Sequence, residues 1–265
     1  MPNVIAFGAH PDDCDHLAGG VAAMWAARGH RVRFVSMTNG DAGHHVDHGA
    51  SLAARRRAEA KEAGRRIGVD YVVLDNHDGR LQPTLDLRDE VIRQIREWKT
   101  DLVIAHRPND YHPDHRYAGV AVQDAAYLVM VPALVSDTPA LRTNPVFMYS
   151  EDRFQTPSPF RPDVAVIVDD AADRKIDMMD AHVSQYYEWL PWLDGLLDGV
   201  PAEGAARKQW LKATRLPGPT TAVRRALEAR YGAARAAGAQ YAEAFEICEY
   251  GAQPDARRLH ELFPF

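Results

Sequence analysis

Short apolar runs alternate with longer segments of helical spacing through the first half of the chain. Four runs predict buried strands, at 4–7 (VIAF), 32–37 (VRFVSM), 71–74 (YVVL) and 101–105 (DLVIA). Between them, helices are predicted over residues 16–28, 51–67 and 87–98. Strands that alternate with helices are typical of a parallel sheet with right-handed crossovers. The pattern therefore predicts an α/β fold with a Rossmann-like, mostly parallel sheet and helices on both faces.

The second half of the chain is less regular. It predicts strands at 145–149, 164–168 and 241–251, and helices at 171–184 and 220–237. No repeat, low-complexity tract or change of composition marks a second domain. We expect one domain over 1–265, with a core at about 4–185 and a carboxyl-terminal extension at about 186–265. The extension begins with an aromatic segment, 186–199, which favours ordinary packing; stacking on a sugar or a subunit interface is the alternative.

Composition narrows the range of partners. The chain has 31 basic and 37 acidic residues and a net charge of −6, which favours neither a nucleic acid nor a membrane as partner. Its first residues do not resemble a signal peptide, and no apolar run is as long as a membrane span. We therefore expect a cytoplasmic protein that binds a small molecule. Because Cys14 and Cys248 are far apart in sequence, a metal would need histidine and carboxylate ligands.

A polar cluster follows each of the first four strands: AHPDDCDH (9–16), TNGDAGHHVDH (38–48), DNHDGR (75–80) and HRPNDYHPDH (106–115). Open parallel sheets bind ligands beyond the carboxyl ends of their strands, where the strand order reverses. In the order 3-2-1-4 the first and last clusters face each other, which brings together His10, Asp12, Asp13, His112 and His115. A dinucleotide-binding turn does not fit, since it needs glycines and the aspartates would repel phosphate. Imidazole and carboxylate suit a divalent cation such as Zn²⁺, and three protein ligands leave one position for water.

Four short motifs together resemble the PIG-L-type, LmbE-like family of zinc-dependent N-deacetylases: AHPDD (9–13), TNGDAG (38–43), HPDH (112–115) and HVSQ (182–185). The resemblance covers about 4–185 and implies an LmbE-like fold. It implies one Zn²⁺ per chain, with Fe²⁺ as the alternative, and a homo-oligomer. It further implies that the metal ligands are His10, Asp13 and His115. Cys14 stands where the family often has Glu; we interpret it as a small buried side chain rather than a ligand.

The same resemblance implies three catalytic residues. Asp12 would be the general base, His112 would act on the tetrahedral intermediate, and Asp114 would tune His112. Amide hydrolysis indeed needs an activated water, a stabilised oxyanion and a proton for the departing nitrogen. Either His112 or Asp12 could deliver that proton. The alternative for the aspartates of both motifs is helix capping, most of all for Asp114.

Other residues are weaker candidates. Asp41, near the end of the second strand, and His182 with Gln185, which the resemblance returns to the pocket, are candidates for substrate binding. A capping or surface role is the alternative for His182. His44, His45 and His48 have three interpretations: they bind a second metal, form part of a substrate lid, or lie in a solvated loop.

These observations predict a metal-dependent hydrolase that removes an acyl group, most simply acetyl, from the nitrogen of an amino sugar such as N-acetylglucosamine or a related small conjugate. A hydrolase of another amide or ester is one alternative. A metal- or sugar-binding protein without turnover is the other, although such a protein has no need of Asp12 beside the ligands.

Overall fold

The computed structural model covers residues 1–265 and contains one sheet of seven strands. The strands are β1 (Asn3–Gly8), β2 (Arg31–Thr38), β3 (Asp70–Asn76), β4 (Leu102–Ala105), β5 (Val146–Ser150), β6 (Val164–Ile167) and β7 (Ala242–Gly251). They lie in the order β3-β2-β1-β4-β5-β7-β6. The first five are parallel, and β7 is antiparallel to both of its neighbours. The predicted mostly parallel α/β sheet is confirmed, together with its 3-2-1-4 order.

Ten helices surround the sheet: α1 (Asp13–Ala27), α2 (Gly49–Ile67), α3 (Leu85–Trp98), α4 (Pro113–Leu128), α5 (Ala172–Met179), α6 (Leu190–Leu193), α7 (Gly204–Arg215), α8 (Thr221–Tyr231), α9 (Ala233–Gly238) and α10 (Ala256–Leu262). A π-helical stretch, Ser184–Trp189, runs directly into α6. None of the helices has the length and hydropathy needed to cross a membrane.

The predicted helices of the second half need correction. The helix predicted at 171–184 ends at Met179 and is followed by a turn before the π-helical stretch. The helix predicted at 220–237 is two helices, because Gly232 between them has φ +82°, outside the helical region. Helices α7 and α10 have no counterpart in the prediction. The strands were predicted more accurately, since each is a compact apolar run.

The sheet separates two apolar cores. Val4 and Ala6 of β1 face the core covered by α1 and α2, whereas Ile5 and Phe7 face the core covered by α3 and α4. This alternation follows from the two-residue period of a strand. Because both faces are covered, all four side chains are buried.

A buried ion pair ties the carboxyl-terminal strand to α1. Glu243 of β7 lies 2.7 Å from Lys175 of α5, and both side chains are less than a tenth exposed. The Glu243 carboxylate also accepts hydrogen bonds from the amides of Gly20 and Val21, while Lys175 donates to the carbonyl of His16. A Cβ at Gly20 would lie 2.9 Å from the carboxylate, so this approach requires glycine. The extension thus supports the helix that follows the first polar cluster.

Candidate active site

The carboxyl ends of β1 and β4 bring the three predicted metal ligands together. His10 and Asp13 follow β1, and His115 lies in the first turn of α4. His10 Nδ1 is 3.2 Å from His115 Nε2. Asp13 Oδ2 lies 3.5 Å from His10 Nδ1, and the other carboxylate oxygen, Oδ1, lies 3.5 Å from His115 Nε2. Ligands about 2.0–2.1 Å from a tetrahedral Zn²⁺ are separated by roughly 3.3 Å. The three side chains therefore offer donors of the kind and number that a tetrahedral metal site needs, at close to its spacing.

The electrostatics of this cluster favour a cation. Burial opposes a charged imidazole, but Asp13 and Asp110 outweigh it and raise the pKa of His115 to about 9. Burial likewise opposes charge on His10, yet hydrogen bonds to nearby carboxylates raise its pKa well above the usual value. Burial would raise the pKa of Asp13, but the two histidines hold it well below its usual range. Positive charge is therefore stabilised where the donors converge, and protons compete there with a metal.

The outer nitrogen of each ligand histidine faces a carboxylate. His10 Nε2 lies 3.2 Å from Asp78 and 3.3 Å from Asp114, and His115 Nδ1 lies 3.0 Å from Asp110. Such contacts fix the orientation of a metal-binding imidazole and raise its basicity. Both histidines are thereby held with the inner nitrogen toward the cluster.

The loop after β1 is shaped by Asp13. Its Oδ2 accepts hydrogen bonds from the amides of Ala9 and His10, both at 2.8 Å. A Cβ at Gly8 would lie 2.7 Å from the Asp13 Cβ, so glycine is required there. Cys14 points away, into the core, and its thiol donates to a main-chain carbonyl of β1. The interpretation of Cys14 as a small buried side chain agrees with this position.

Asp12 is directed differently from its neighbour Asp13. Its Oδ1 accepts a hydrogen bond from Arg56 Nη2 at 2.9 Å, and it makes no capping hydrogen bond to α1. Burial raises the pKa of Asp12 to about 6, while Arg56 acts in the opposite direction. Arg56 is 2% exposed and also donates to the carbonyls of Pro11 and Gly40. The carboxylate is therefore fixed beside the ligand cluster without belonging to it.

His112 lies beside the ligand cluster, with its ring centroid 4.6 Å from that of His10. It is the N-cap of α4, and its Nδ1 accepts a hydrogen bond from the amide of Asp114 at 3.2 Å. Burial and the nearby His10 lower the pKa of His112. The ring is then neutral, and its proton is carried on Nε2.

The Asp114 carboxylate makes no hydrogen bond to the His112 ring. It accepts instead from the amides of Gly79 and Leu81, and it contacts His10. The N-cap of α4 is His112, so the capping alternative for Asp114 is not observed. Asp114 therefore holds the β3–α3 loop against the histidine that follows β1.

A fourth histidine packs against the ligands. The rings of His106 and His115 are stacked, with centroids 4.2 Å apart, and His106 Nε2 lies 3.2 Å from Asp13 Oδ2. Asp13, His106 and His115 form a second set of donors close enough to hold a metal. The prediction named the loop but not this residue.

The candidate substrate residues are only partly placed at the cavity. Gln185 lines it and donates a hydrogen bond to a carbonyl of the loop after β2. Asp41 does not line it, since its carboxylate bonds to His77 and to an amide of the β3–α3 loop. His182 is fully buried, with its Nε2 2.9 Å from Asp15. Internal partners therefore direct Asp41 and His182 away from the cavity, and their part in substrate binding stays a prediction.

The histidine-rich loop after β2 contributes no residue to the candidate metal clusters, and two of its histidines are packed while His48 is exposed. His44 Nε2 lies 3.0 Å from Glu188, and the His45 ring stacks on Trp192 with centroids 5.2 Å apart. His48 directly precedes α2. Since Glu188 and Trp192 belong to the aromatic segment, the loop packs against this segment.

Besides His106, three residues at the site were missed by the sequence prediction: Arg56, Asp78 and Asp110. A signal for Arg56 exists, because it falls on the buried stripe of α2 with Leu52 and Ala60. An arginine on an apolar stripe indicates a buried partner. The two aspartates lie in loops already recognised as polar, but no spacing rule distinguishes them from their neighbours.

A cavity of about 780 Å³ lies over the cluster. It begins at the ligand residues and extends past the π-helical stretch to the end of β6 and the start of β7. Binding sites for small molecules have volumes of about 300–1,000 Å³. The site therefore has room for a molecule larger than one sugar ring.

Residues 5–126 match the PIG-L family, described as GlcNAc-PI de-N-acetylase. The chain is 27% identical over 204 residues to a diacetylchitobiose deacetylase of Thermococcus kodakarensis, covering 73% of this chain and 75% of that protein.

Solved structures show the same fold. The N,N′-diacetylchitobiose deacetylase of Pyrococcus horikoshii superimposes with a TM-score of 0.69 at 23% identity, covering 93% of this chain and 84% of that one. GalB of Pseudomonas putida, a 4-carboxy-2-hydroxymuconate hydratase, gives 0.71 at 18% identity, covering 96% and 99%. Since this fold carries both a deacetylase and a hydratase, the fold alone does not decide the reaction. The family resemblance of the AHPDD and HPDH motifs is confirmed by the sequence match, since both motifs lie within residues 5–126, which match the PIG-L family.

Proposed function

We propose that this protein is a metal-dependent deacetylase that hydrolyses the N-acetyl group of an amino sugar conjugate. The observation that carries the proposal is the convergence of His10 Nδ1 and His115 Nε2, 3.2 Å apart, on the Asp13 carboxylate, whose two oxygens lie 3.5 Å from one nitrogen each, beside the separate Asp12 carboxylate. The PIG-L domain and the 27% identity to a diacetylchitobiose deacetylase support the same reaction class.

The metal would be held by His10, Asp13 and His115, as one Zn²⁺ per chain. A divalent cation bound there would supply an acidified water and a polarised carbonyl. Carboxylates behind both histidines keep the donor nitrogens oriented toward it.

Asp12 would accept the proton of the attacking water. Its carboxylate lies beside the donors without being one of them, and Arg56 holds it in place at 2.9 Å. A pKa of about 6, raised by burial, makes this carboxylate a stronger base than an exposed aspartate. In the reaction the water oxygen bonds to the carbonyl carbon, and Asp12 retains the released proton.

His112 would stabilise the oxyanion. Its Nδ1 is occupied by the Asp114 amide, so Nε2 is free to donate into the cavity that it lines. When the carbon–nitrogen bond breaks, the departing amine must gain a proton. Asp12 and His112 are the two groups positioned to supply it, and Asp12 already holds the proton taken from water.

The test combines metal content with release of free amine. We expect about one divalent ion per chain, and chelator-sensitive release of amine from N-acetylglucosamine or N,N′-diacetylchitobiose. Elemental analysis of the same sample distinguishes zinc from iron. Bound metal with cleavage of an acetate ester alone would favour an esterase, and bound metal without turnover of either substrate class would favour a binding protein.

A further inference from the structure

A buried histidine beside the ligand cluster has no part in the proposed reaction. His106 directly follows β4 and is 4% exposed. Its main chain is held closely, because a Cβ at Gly119 of α4 would lie 2.6 Å from the His106 carbonyl oxygen, and the next residue, Arg107, is paired with Asp152. One face of the ring stacks on His115, with an angle of 10° between the two planes. The side chain of His106 therefore has a fixed place in the site.

The polar contact of this ring is with Asp13. His106 Nε2 lies 3.2 Å from Asp13 Oδ2. A carboxylate can only accept a hydrogen bond, so Nε2 carries the hydrogen and donates it, whether the ring is neutral or charged. The Ala9 amide, 3.4 Å from the same nitrogen, donates to Asp13 Oδ2 at 2.8 Å. Because a nitrogen that carries a hydrogen has no lone pair for a metal, His106 Nε2 is not a ligand in this arrangement.

The two carboxylate oxygens of Asp13 have different surroundings. Oδ2 accepts hydrogen bonds from three donors, which are the amides of Ala9 and His10 and the His106 ring. Three donors are more than the two lone pairs of one oxygen. Oδ1 is left with His115 Nε2, at 3.5 Å, as its polar neighbour. One oxygen is therefore engaged by the protein, and the other remains for a cation.

The hydrogen bond from His106 differs from those of the two amides in what it connects. Ala9 and His10 belong to the same loop as Asp13, so their amides move with it. His106 belongs to the end of β4, and its ring also stacks on His115 of α4. One side chain thus contacts a proposed ligand that follows β1 and a proposed ligand on α4. It fixes the position of the two ligands relative to each other.

We propose that His106 is a positioning residue for the metal, and that its hydrogen bond to Asp13 Oδ2 makes this carboxylate a ligand through Oδ1 alone, aligned with His115. The inference rests on the proposed function for the ligand set of His10, Asp13 and His115. Side chains that hold a metal ligand in place typically contribute about 10-fold to 100-fold to metal affinity. His106 would therefore determine both the affinity of the site and the number of its donor atoms.

Two variants separate the hydrogen bond from the ring stack. His106→Phe keeps a stacking ring without a donor, whereas His106→Gln loses the ring but places an amide donor as many bonds from Cα as Nε2 is. The dissociation constant for Zn²⁺ is measured by competition with a chelating dye. We expect His106→Phe to weaken binding about 10-fold to 100-fold and His106→Gln to stay within about threefold of wild type. His260→Phe, at an exposed position of α10, is the control and should leave the constant unchanged.

The visible absorption of the Co²⁺-substituted protein reports the coordination number independently of activity. We expect weaker bands in His106→Phe, because a released carboxylate binds through both oxygens and raises the coordination number. His106→Gln should keep the wild-type spectrum. Urea denaturation of the metal-free proteins should give similar midpoints for wild type and both variants, which separates a change at the site from a loss of fold.

The outcomes distinguish this inference from the proposed function. Wild-type affinity in His106→Phe would overturn the inference. Equal loss in both variants would also overturn it, since the effect would then belong to the ring rather than to the hydrogen bond. The expected pattern of affinities in a protein whose wild type releases no amine would overturn the proposed function and leave His106 as a positioning residue. A wild type that holds no divalent ion would overturn both.

Discussion

The two ends of the cavity differ in how their polar groups are satisfied. At the reaction end each ligand histidine has a carboxylate behind it, and the Asp12 carboxylate is held by Arg56. At the end of the cavity near the start of β7, Lys175 is paired with Glu243 and Arg215 with Asp194, but the His16 ring makes no hydrogen bond to the protein. The groups proposed to act in the reaction are thus each held by a second protein group, as a site that needs one geometry requires.

The strongest test of the reaction end removes a metal ligand. His115→Ala deletes one of three donors, so we expect loss of bound metal and of detectable amine release. Elemental analysis after dialysis measures the first, and an amine assay the second. His260→Ala, which alters an exposed histidine of α10, is the matched control and should behave as wild type. Full metal occupancy in His115→Ala would place the ion on other side chains, such as His10, Asp78 and Asp114, which form a donor set without His115.

The buried ion pair between Lys175 and Glu243 should contribute to the free energy of unfolding. Lys175→Met leaves Glu243 buried without its cation, which typically costs about 3–5 kcal/mol of unfolding free energy. Urea denaturation measures the loss. Adding Glu243→Gln should recover part of it, since no isolated charge then remains. A double variant less stable than Lys175→Met by the full cost of a second independent site would show that the two residues are not coupled.

Asp12→Asn separates catalysis from metal binding. We expect kcat to fall by about 10² or more, as for a lost general base, with metal content unchanged. Asp75→Asn is the matched control, because Asp75 is exposed and pairs only with groups outside the cavity. Turnover of Asp12→Asn near the wild-type rate would exclude Asp12 as the general base.

A smaller loss of stability should follow from removing the charge of Asp180, which contacts the π-helical stretch. Asp180 accepts hydrogen bonds from Arg66 and from Tyr187, the neighbour of Tyr186. Burial alone would raise the pKa of Asp180, but these partners lower it. A carboxyl with a lowered folded pKa stabilises the protein above its unfolded pKa of about 3.9, and this contribution is lost as pH falls through the folded value.

We therefore expect Asp180→Asn to cost about 1–3 kcal/mol at pH 7, as for a hydrogen bond to a charged group. The difference from wild type should shrink below about pH 4, where the carboxyl of the unfolded wild type begins to be protonated while the folded one is still charged. Denaturation curves at both pH values measure it, and the subtraction removes effects shared by the two proteins. A difference that stays constant with pH would mean that the charge of Asp180 contributes nothing.

Much of the fold could be predicted because its determinants are local. Buried parallel strands are continuous apolar runs, and the motifs that carry the site follow two of them directly. The far wall of the cavity could not be predicted, since α1, α5, the π-helical stretch and β7, which contribute to it, are far apart in sequence. The position of His182 could not be predicted for the same reason, since it is set by a hydrogen bond between its ring and Asp15, 167 positions earlier in the chain.

The contact of Glu243 with α1 also bears on how the protein is made. Synthesis proceeds from the amino terminus, so all three proposed metal ligands exist long before β7 does. Until β7 arrives, Lys175 lacks its carboxylate, and the amides of Gly20 and Val21 lack their side-chain acceptor. The nascent chain would carry a complete set of ligands on an incompletely supported helix. Strand β1 thus positions the first ligands early, and β7 completes the support of α1 only after it has been synthesised.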